Sequence, residues 1–283
     1  MGQSIWVYVL VLIALIIIIS IAADSNRFVS RVYRIDSGRP DKPVSFIFIS
    51  DLHNKQYGKN NCKLLNAIDE MKPDAILIGG DMISAHKGAG MEPALKVVKA
   101  LAEKYPIYYG SGNHEQRLFL YPQRYGNMSE RLENSLSEYG VIRLRNASED
   151  YGDTGIRIAS VETDRMYYKR RNTPVLTKEV MEGYLGVCDK DRFNILLAHN
   201  PEHFAAYREW GAQLVLSGHV HGGIIRLPFL GGVISPKVTF FPKYDGGRFD
   251  EDGAVMVLSR GLGSHTIPLR LWNPGELIKI ELR

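Results

Sequence analysis

The stretch Gln213-Leu214-Val215-Leu216-Ser217-Gly218-His219-Val220-His221-Gly222-Gly223 decides how the rest of the chain is read. Its opening run is short, apolar and followed by glycine, the pattern of a buried strand that stops at a turn. Side chains on extended chain alternate sides with period two, so His219 and His221 are expected to point the same way. The flanking glycines remove Cβ bulk and admit backbone angles closed to other residues, which lets the chain bend tightly around something small. Imidazole is the commonest metal ligand and carries protons near neutral pH. A histidine pair in an ordinary surface turn fits these residues as well. The other strand ends decide between the two readings.

Working outward, Val44–Ser50 reads as a buried strand that ends in Asp51-Leu52-His53, and Asp74–Ile78 as one that ends in Gly79-Gly80-Asp81. Pro106–Tyr109 delivers Asn113-His114-Glu115, and Phe193–Ala198 delivers His199-Asn200-Pro201-Glu202. Helices are expected over Lys63–Met71 and Glu92–Glu103, and from Pro201 to Trp210 with Gly211 as its stop. Asn127 with Glu130 has the form of a capping box opening a helix to Tyr139. Val141–Leu144, Ile156–Val161, Ala254–Ser259 and Glu276–Leu282 complete the strands, with Arg226–Tyr244 as a long apolar loop. Strands alternating with helices predict a layered α/β domain, whose ligands gather outside strand carboxyl ends.

Five strands thus end in residues able to bind metal, at the edge where such folds place their sites. Carboxylate, amide and imidazole together suit first-row divalent ions, and the two cysteines, Cys62 and Cys188, are too few for a thiolate cluster. The donor count exceeds one four-coordinate ion and fits a pair of ions about 3.5–4 Å apart that shares a carboxylate.

In series, the blocks D-x-H, G-D, G-N-H-E, H and G-H-x-H, running from Asp51 to His221, resemble the calcineurin-like metallophosphoesterase superfamily. Ala198–Glu202, Ser217–Gly223, Tyr244-Asp245-Gly246-Gly247 and Ser259-Arg260-Gly261-Leu262-Gly263 resemble its bacterial, membrane-associated phosphodiesterase branch. Val220 and Ile224 stand where that branch has a polar residue and Gln, a departure that bears on substrate choice. The resemblance implies a four-layer α/β/β/α sandwich. It implies Asp51, His53 and His221 on one divalent ion, Asn113, His199 and His219 on a second, and Asp81 between them. His114 is then the catalytic residue that contacts phosphate and protonates the leaving oxygen. The ions are expected to be Mn²⁺, with Fe or Zn²⁺ as alternatives, activating water for attack on phosphorus.

The chain has 283 residues, 45% hydrophobic and 23% charged, the balance of a globular protein. A formal net charge of +4 shows no nucleic-acid footprint, so no nucleic-acid partner is expected. Ile5–Ala23 is uncharged and almost wholly aliphatic, long enough to span a bilayer, with Trp6 and Tyr8 near its start. A cleavable signal peptide is the competing reading, but no Lys or Arg precedes the run, which exceeds the usual h-region. Residues 1–23 are therefore expected to be a single-pass membrane anchor, 24–43 a juxtamembrane linker and 44–283 the catalytic domain. Arg27, Arg31 and Arg34 after the span place that domain in the cytoplasm by the positive-inside rule. Lys169, Arg170 and Arg171 are candidates to grip a substrate phosphate or head group, with a solvated loop as the alternative. Phe229, Leu230, Phe240 and Phe241 either pack on the core, dip into the bilayer or hold an acyl chain. A phosphodiesterase or pyrophosphatase acting on a lipid-linked phosphate, such as a phospholipid or glycolipid, is the first expectation. Soluble phosphodiesters or nucleotides come second, and an inactive metal-bound scaffold is the alternative of another class.

Overall fold

A computed structural model describes residues 2–38, 43–86, 88–169, 171–223, 225–227, 230–234, 240–264 and 269–283. Helix α1 (Gly2–Asp24) leads into strand β1 (Phe28–Ile35), followed by β2 (Val44–Ile49), α2 (Cys62–Met71), β3 (Ala75–Ile78) and α3 (Glu92–Ala102). Next come β4 (Ile107–Tyr109), α4 (Asn113–Leu120), α5 (Pro122–Tyr125), α6 (Met128–Glu138), β5 (Ile142–Arg143), β6 (Ala147–Asp150) and β7 (Ile156–Val161). The chain continues through α7 (Lys178–Leu185), β8 (Phe193–Ala198), α8 (Phe204–Trp210) and β9 (Leu214–Ser217). It closes with β10 (Ile225–Leu227), β11 (Gly231–Ile234), β12 (Gly247–Glu251), β13 (Ala254–Leu258) and β14 (Gly275–Leu282).

Two six-stranded sheets result, ordered β1-β14-β2-β3-β4-β5 and β12-β13-β9-β8-β7-β6. Strands β2 to β5 run parallel, as do β7, β8, β9 and β13. Parallel neighbours need crossover connections, so their carboxyl ends share one edge. Alternation along each strand fills three buried layers. Phe46, Phe48 and Leu77 of the first sheet meet Ile195, Leu197, Leu214 and Leu216 of the second. Ile47, Ile49, Ile76 and Ile78 turn the other way onto Leu64, Ile68, Val97 and Val98 of the helices. On the far side Leu196, Ala198 and Val215 pack on Met181, Phe204, Tyr207 and Trp210. A sheet buried on both faces explains the continuous apolar runs of β3, β8 and β9. The expected four-layer α/β/β/α sandwich is the fold observed.

The expected polar linker is where the structure departs most from the sequence reading. Residues 28–35 form β1 and pair along all eight positions with β14; residues 39–42 of that segment lie outside the described residues. Strands β6 and β12 were also not expected. All three are edge strands, and edges carry charged, half-exposed sequences without an apolar run. The expected loop Arg226–Tyr244 contains the antiparallel pair β10–β11, while Ile224 and Phe229 lie outside the described residues. The capping box at Asn127 is not made. Its backbone (φ −88°, ψ 18°) is not the extended conformation a capping side chain needs, and no side-chain bond forms.

Helix α1 contains the described residues' one segment long and apolar enough to cross a membrane, Ile5–Asp24, with mean hydropathy 3.1. That composition fits a membrane span or a signal sequence. The helix end is tied to the domain: buried Asp24 accepts from Arg27 and from the Asn273 N–H at 3.0 Å. The side-chain amide of Asn273 in turn donates to the carbonyls of His221 and Gly223.

Candidate metal centre

The carboxyl ends of β2, β3 and β4 from one sheet and of β8 and β9 from the other meet over a single buried floor. Backbone bonds join the turns: Asp51 N–H donates to Gly80, His53 N–H to Asp81 and Gly218 N–H to His199. Close approach of β3 and β4 depends on glycine. A Cβ on Gly80 (φ +94°) would stand 1.9 Å from the Gly112 nitrogen, and one on Gly112 would stand 2.2 Å from Asp81 Oδ1.

The extended-chain geometry expected for His219 and His221 is not what positions them. Both have left-handed backbone, φ 73° and 52°, as do Asp51, His53 and Asp81. These non-glycine residues are each strained by roughly 1–3 kcal/mol, a strain held in place by the surrounding bonds. The turn therefore aims the two histidines apart. Ligand atoms of Asp51, His53 and His221 gather within 4.8 Å of one another, and so do those of Asp81, His199 and His219. Asp81 also gathers with His53 and His114.

Within the floor, Asp51 Oδ1 lies 3.3 Å from His221 Nε2 and 3.7 Å from His199 Nε2. Asp81 Oδ2 lies 3.1 Å from His199 Nε2 and 3.8 Å from His53 Nε2, so one carboxylate oxygen faces both groups. His199 Nδ1 donates to the Gly79 carbonyl at 2.8 Å, and His221 Nδ1 faces that of Gly263 at 3.3 Å. Such outer bonds fix the ring orientation and aim Nε2 inward. Asn113 Oδ1 is buried with no hydrogen-bond partner. Two carboxylates, four imidazoles and an unsatisfied amide oxygen form a donor set that fits divalent cations.

Electrostatics point the same way. Burial alone would raise Asp81, but His199, His114 and His53 hold it well below the usual carboxylate range. Burial would lower His199, yet Asp81 and Asp51 raise it to about 10. Burial pushes Asp51 up despite His199, and it lowers His53 against the pull of Asp81 and Asp51. Buried carboxylates at this spacing require positive charge beside them, which a divalent cation supplies.

His114 sits at the start of α4, 1% exposed, and its Nδ1 accepts the Ala85 N–H at 2.8 Å. With that lone pair engaged, the ring proton is on Nε2. Glu115, quoted in the motif but given no role from sequence, is wholly buried. It accepts the N–H groups of Asp81, Met82 and Gly112 and the Tyr109 hydroxyl. Glu115 thus caps the start of α4 by accepting the Gly112 N–H three residues before it, a bond that glycine has no side chain to return.

A cleft of about 130 Å³ beside the floor is lined by Asn113, Gln116, Arg117, Arg165, Tyr168, Lys169 and His219. Of the three basic residues expected near substrate, Lys169 lines this cleft, Arg171 is exposed outside it, and Arg170 lies outside the described residues. Sequence reasoning missed Gln116 and Arg117. Their signal was the i+3 and i+4 spacing from Asn113, which puts all three on one helix face.

A family model described as calcineurin-like phosphoesterase matches residues 44–223. The chain is 30% identical over 225 residues to the uncharacterised metallophosphoesterase YkuE of Bacillus subtilis, covering 76% of this chain and 70% of that protein. It is 25% identical over 243 residues to the phosphodiesterase YaeI of Escherichia coli, covering 85% of this chain and 82% of that one. The Bacillus subtilis protein YpbG is 26% identical over 252 residues, covering 88% and 85% respectively.

Proposed function

Because this chain belongs to the calcineurin-like phosphoesterase family, whose members hydrolyse phosphoesters, we propose that it is a phosphodiesterase working at two divalent ions. Asp51, His53 and His221 would hold one ion, and Asn113, His199 and His219 the other, with Asp81 facing both groups. The observation that carries this reading is the placement of Asp81 Oδ2, 3.8 Å from His53 Nε2 and 3.1 Å from His199 Nε2. Bound there, divalent ions would supply Lewis acidity, favouring ionisation of a water near neutral pH and neutralising phosphate oxygens. Mn²⁺ is the first choice for the carboxylate and amide oxygens, and the four imidazoles suit Fe²⁺ or Zn²⁺ equally well.

The residues of the chain then orient and stabilise. His114 presents Nε2–H to the phosphoryl or leaving oxygen as a hydrogen-bond donor. Because its Nδ1 already accepts the Ala85 N–H, it acts as a neutral imidazole that stabilises developing charge, rather than as an imidazolium that gives up a proton. This revises the role expected from the resemblance. Glu115 is a positioning residue: by accepting the Asp81 and Gly112 N–H groups it sets the two turns that present Asp81 and Asn113.

The substrate reading is a lipid-linked phosphodiester or pyrophosphate, with α1 as a membrane anchor and the domain on the cytoplasmic side. Its support is the bond from Asp24 at the end of α1 to Asn273, which holds the His221 turn. Leu269 and Trp272, 48% and 40% exposed, lie just before Asn273. The test is hydrolysis of bis-p-nitrophenyl phosphate, and of phospholipid diesters and lipid pyrophosphates in detergent, with Mn²⁺, Fe²⁺ or Zn²⁺ supplied. Metal-dependent cleavage of both classes is expected. Cleavage of the chromogenic diester alone would favour soluble substrates. No cleavage with any of these metals would leave an inactive scaffold.

A further inference from the structure

The cleft beside the floor contains more positive charge than the scissile phosphate needs. Arg117 follows Asn113 by four residues on α4, just over one helical turn or about 6 Å along the axis. Arg165 comes in from the 3-10 turn Arg165–Tyr168, its guanidinium stacked over the Tyr121 ring and donating to the Tyr121 hydroxyl. Lys169 adds a third cation from the same turn. The lining includes no carboxylate, and among the described residues neither Arg117 nor Arg165 has a carboxylate partner. Most arginines elsewhere are different: Arg27, Arg31, Arg34, Arg131, Arg143, Arg157, Arg208 and Arg248 each pair with an acid.

A second observation points to a ligand. Gln116 is 6% exposed and donates through Nε2 to the Thr163 carbonyl at 2.8 Å, while its Oε1 is buried without a partner in the cleft wall. A buried amide oxygen left unpaired is unfavourable unless a bound molecule donates to it. Two acid-free guanidinium groups and one unmet acceptor describe a site for a group that is anionic and also bears a hydroxyl or amine.

We infer that this cleft binds a second phosphoryl group of the substrate, distinct from the one cleaved, with a neighbouring hydroxyl donating to Gln116. The inference rests on the phosphoesterase reading and narrows its substrate class to compounds with two phosphoryl groups. Guanidinium is suited to the task because its fork matches phosphate oxygens in pairs. One helical turn from a metal ligand is also within reach of a group bonded next to the scissile phosphorus. Two chemistries place a phosphoryl group there: a phosphoanhydride, and a diester whose alcohol carries a separate monoester.

The test compares kcat/KM for bis-p-nitrophenyl phosphate, which has a single phosphoryl group, with that for ADP-ribose and for glycerophosphoinositol phosphate. The full-length protein is expected to prefer at least one two-phosphoryl compound. Arg117→Ala and Arg165→Ala are each expected to lower that preference about tenfold, through KM, with Arg117→Lys retaining part of it. Arg124→Ala, whose guanidinium packs over Tyr125 away from the cleft, should leave the preference unchanged and controls for lost surface charge. Loss confined to ADP-ribose identifies the anhydride; loss confined to glycerophosphoinositol phosphate identifies the separate monoester. The inference is overturned if the parent prefers neither compound, or if the variants lower all three substrates by one factor. Activity of the parent on bis-p-nitrophenyl phosphate decides the phosphoesterase reading separately.

Discussion

The floor of the site and its rim are built on opposite principles. On the floor Asp51, Asp81 and His199 are at most 2% exposed, and each is fixed by bonds from another strand end. On the rim Leu230, Phe240 and Phe241 are 62–65% exposed, carried by a short hairpin whose register shifts between Ile225 and Arg226. Strained left-handed backbone at five floor residues persists because two sheets converge to hold it. The floor has one workable geometry, so the chemistry resides there. The rim has room to vary, which makes it a place to test for substrate choice.

The comparison breaks first at Asp81. Asp81→Asn removes the charge that both groups of ligands face, and should lower diester hydrolysis about a thousandfold while bound metal falls, read by elemental analysis. Glu115→Ala comes next. It strands three buried N–H donors and a hydroxyl, and should reduce unfolding free energy by about 3 kcal/mol or more in urea titration, with activity falling through displaced Asp81 and Asn113. An unchanged stability would mean the floor is not over-determined as argued. At His114 the two roles separate: Ala should lower kcat about a hundredfold, whereas Gln, which keeps an N–H donor, should recover much of that. Equal loss in both variants would restore proton donation. On the rim, Phe240→Ser with Phe241→Ser should leave bis-p-nitrophenyl phosphate turnover intact and cut hydrolysis of substrates in vesicles by a few-fold.

The smallest effect involves no activity at all. Burial pushes the Cys188 thiol up to about 11, whereas Cys62 is exposed. A raised thiol pKa leaves only about one part in a thousand as thiolate at pH 8. One cysteine per chain should therefore react with a thiol reagent at that pH. The second should react on unfolding or as the pH nears 11.

Much of the floor was legible in the sequence because interior parallel strands leave an apolar run ending in an abrupt polar residue. Ile76–Ile78 followed by Gly79, Gly80 and Asp81 shows both signals. The edge strands β1, β6 and β12 were not legible, since an edge buries only part of itself and reads as Ser-Arg or Glu-Asp among a few apolar residues. The backbone of the ligand turns was equally hidden. Period-two alternation suggested one shared direction for His219 and His221, and only tertiary bonds from Asp51 and Asn273 reveal the left-handed turn that splits them. Gln116 and Arg117 went unnoticed for a different reason. A charged, amphipathic helix is the commonest pattern in any α/β protein, and nothing local marks which of its cations lacks an acid.

The bond between Asp24 and Asn273 bears on how a form of the protein lacking the apolar helix would have to be interpreted. Trimming the chain at residue 25 removes the acceptor of the Asn273 N–H, and that asparagine supports the carbonyls of His221 and Gly223. A drop in turnover after such trimming would then reflect a loosened catalytic turn, even in an assay with no lipid present. Cutting upstream, so that Asp24 and one helical turn before it remain, separates loss of the apolar helix from loss of the brace.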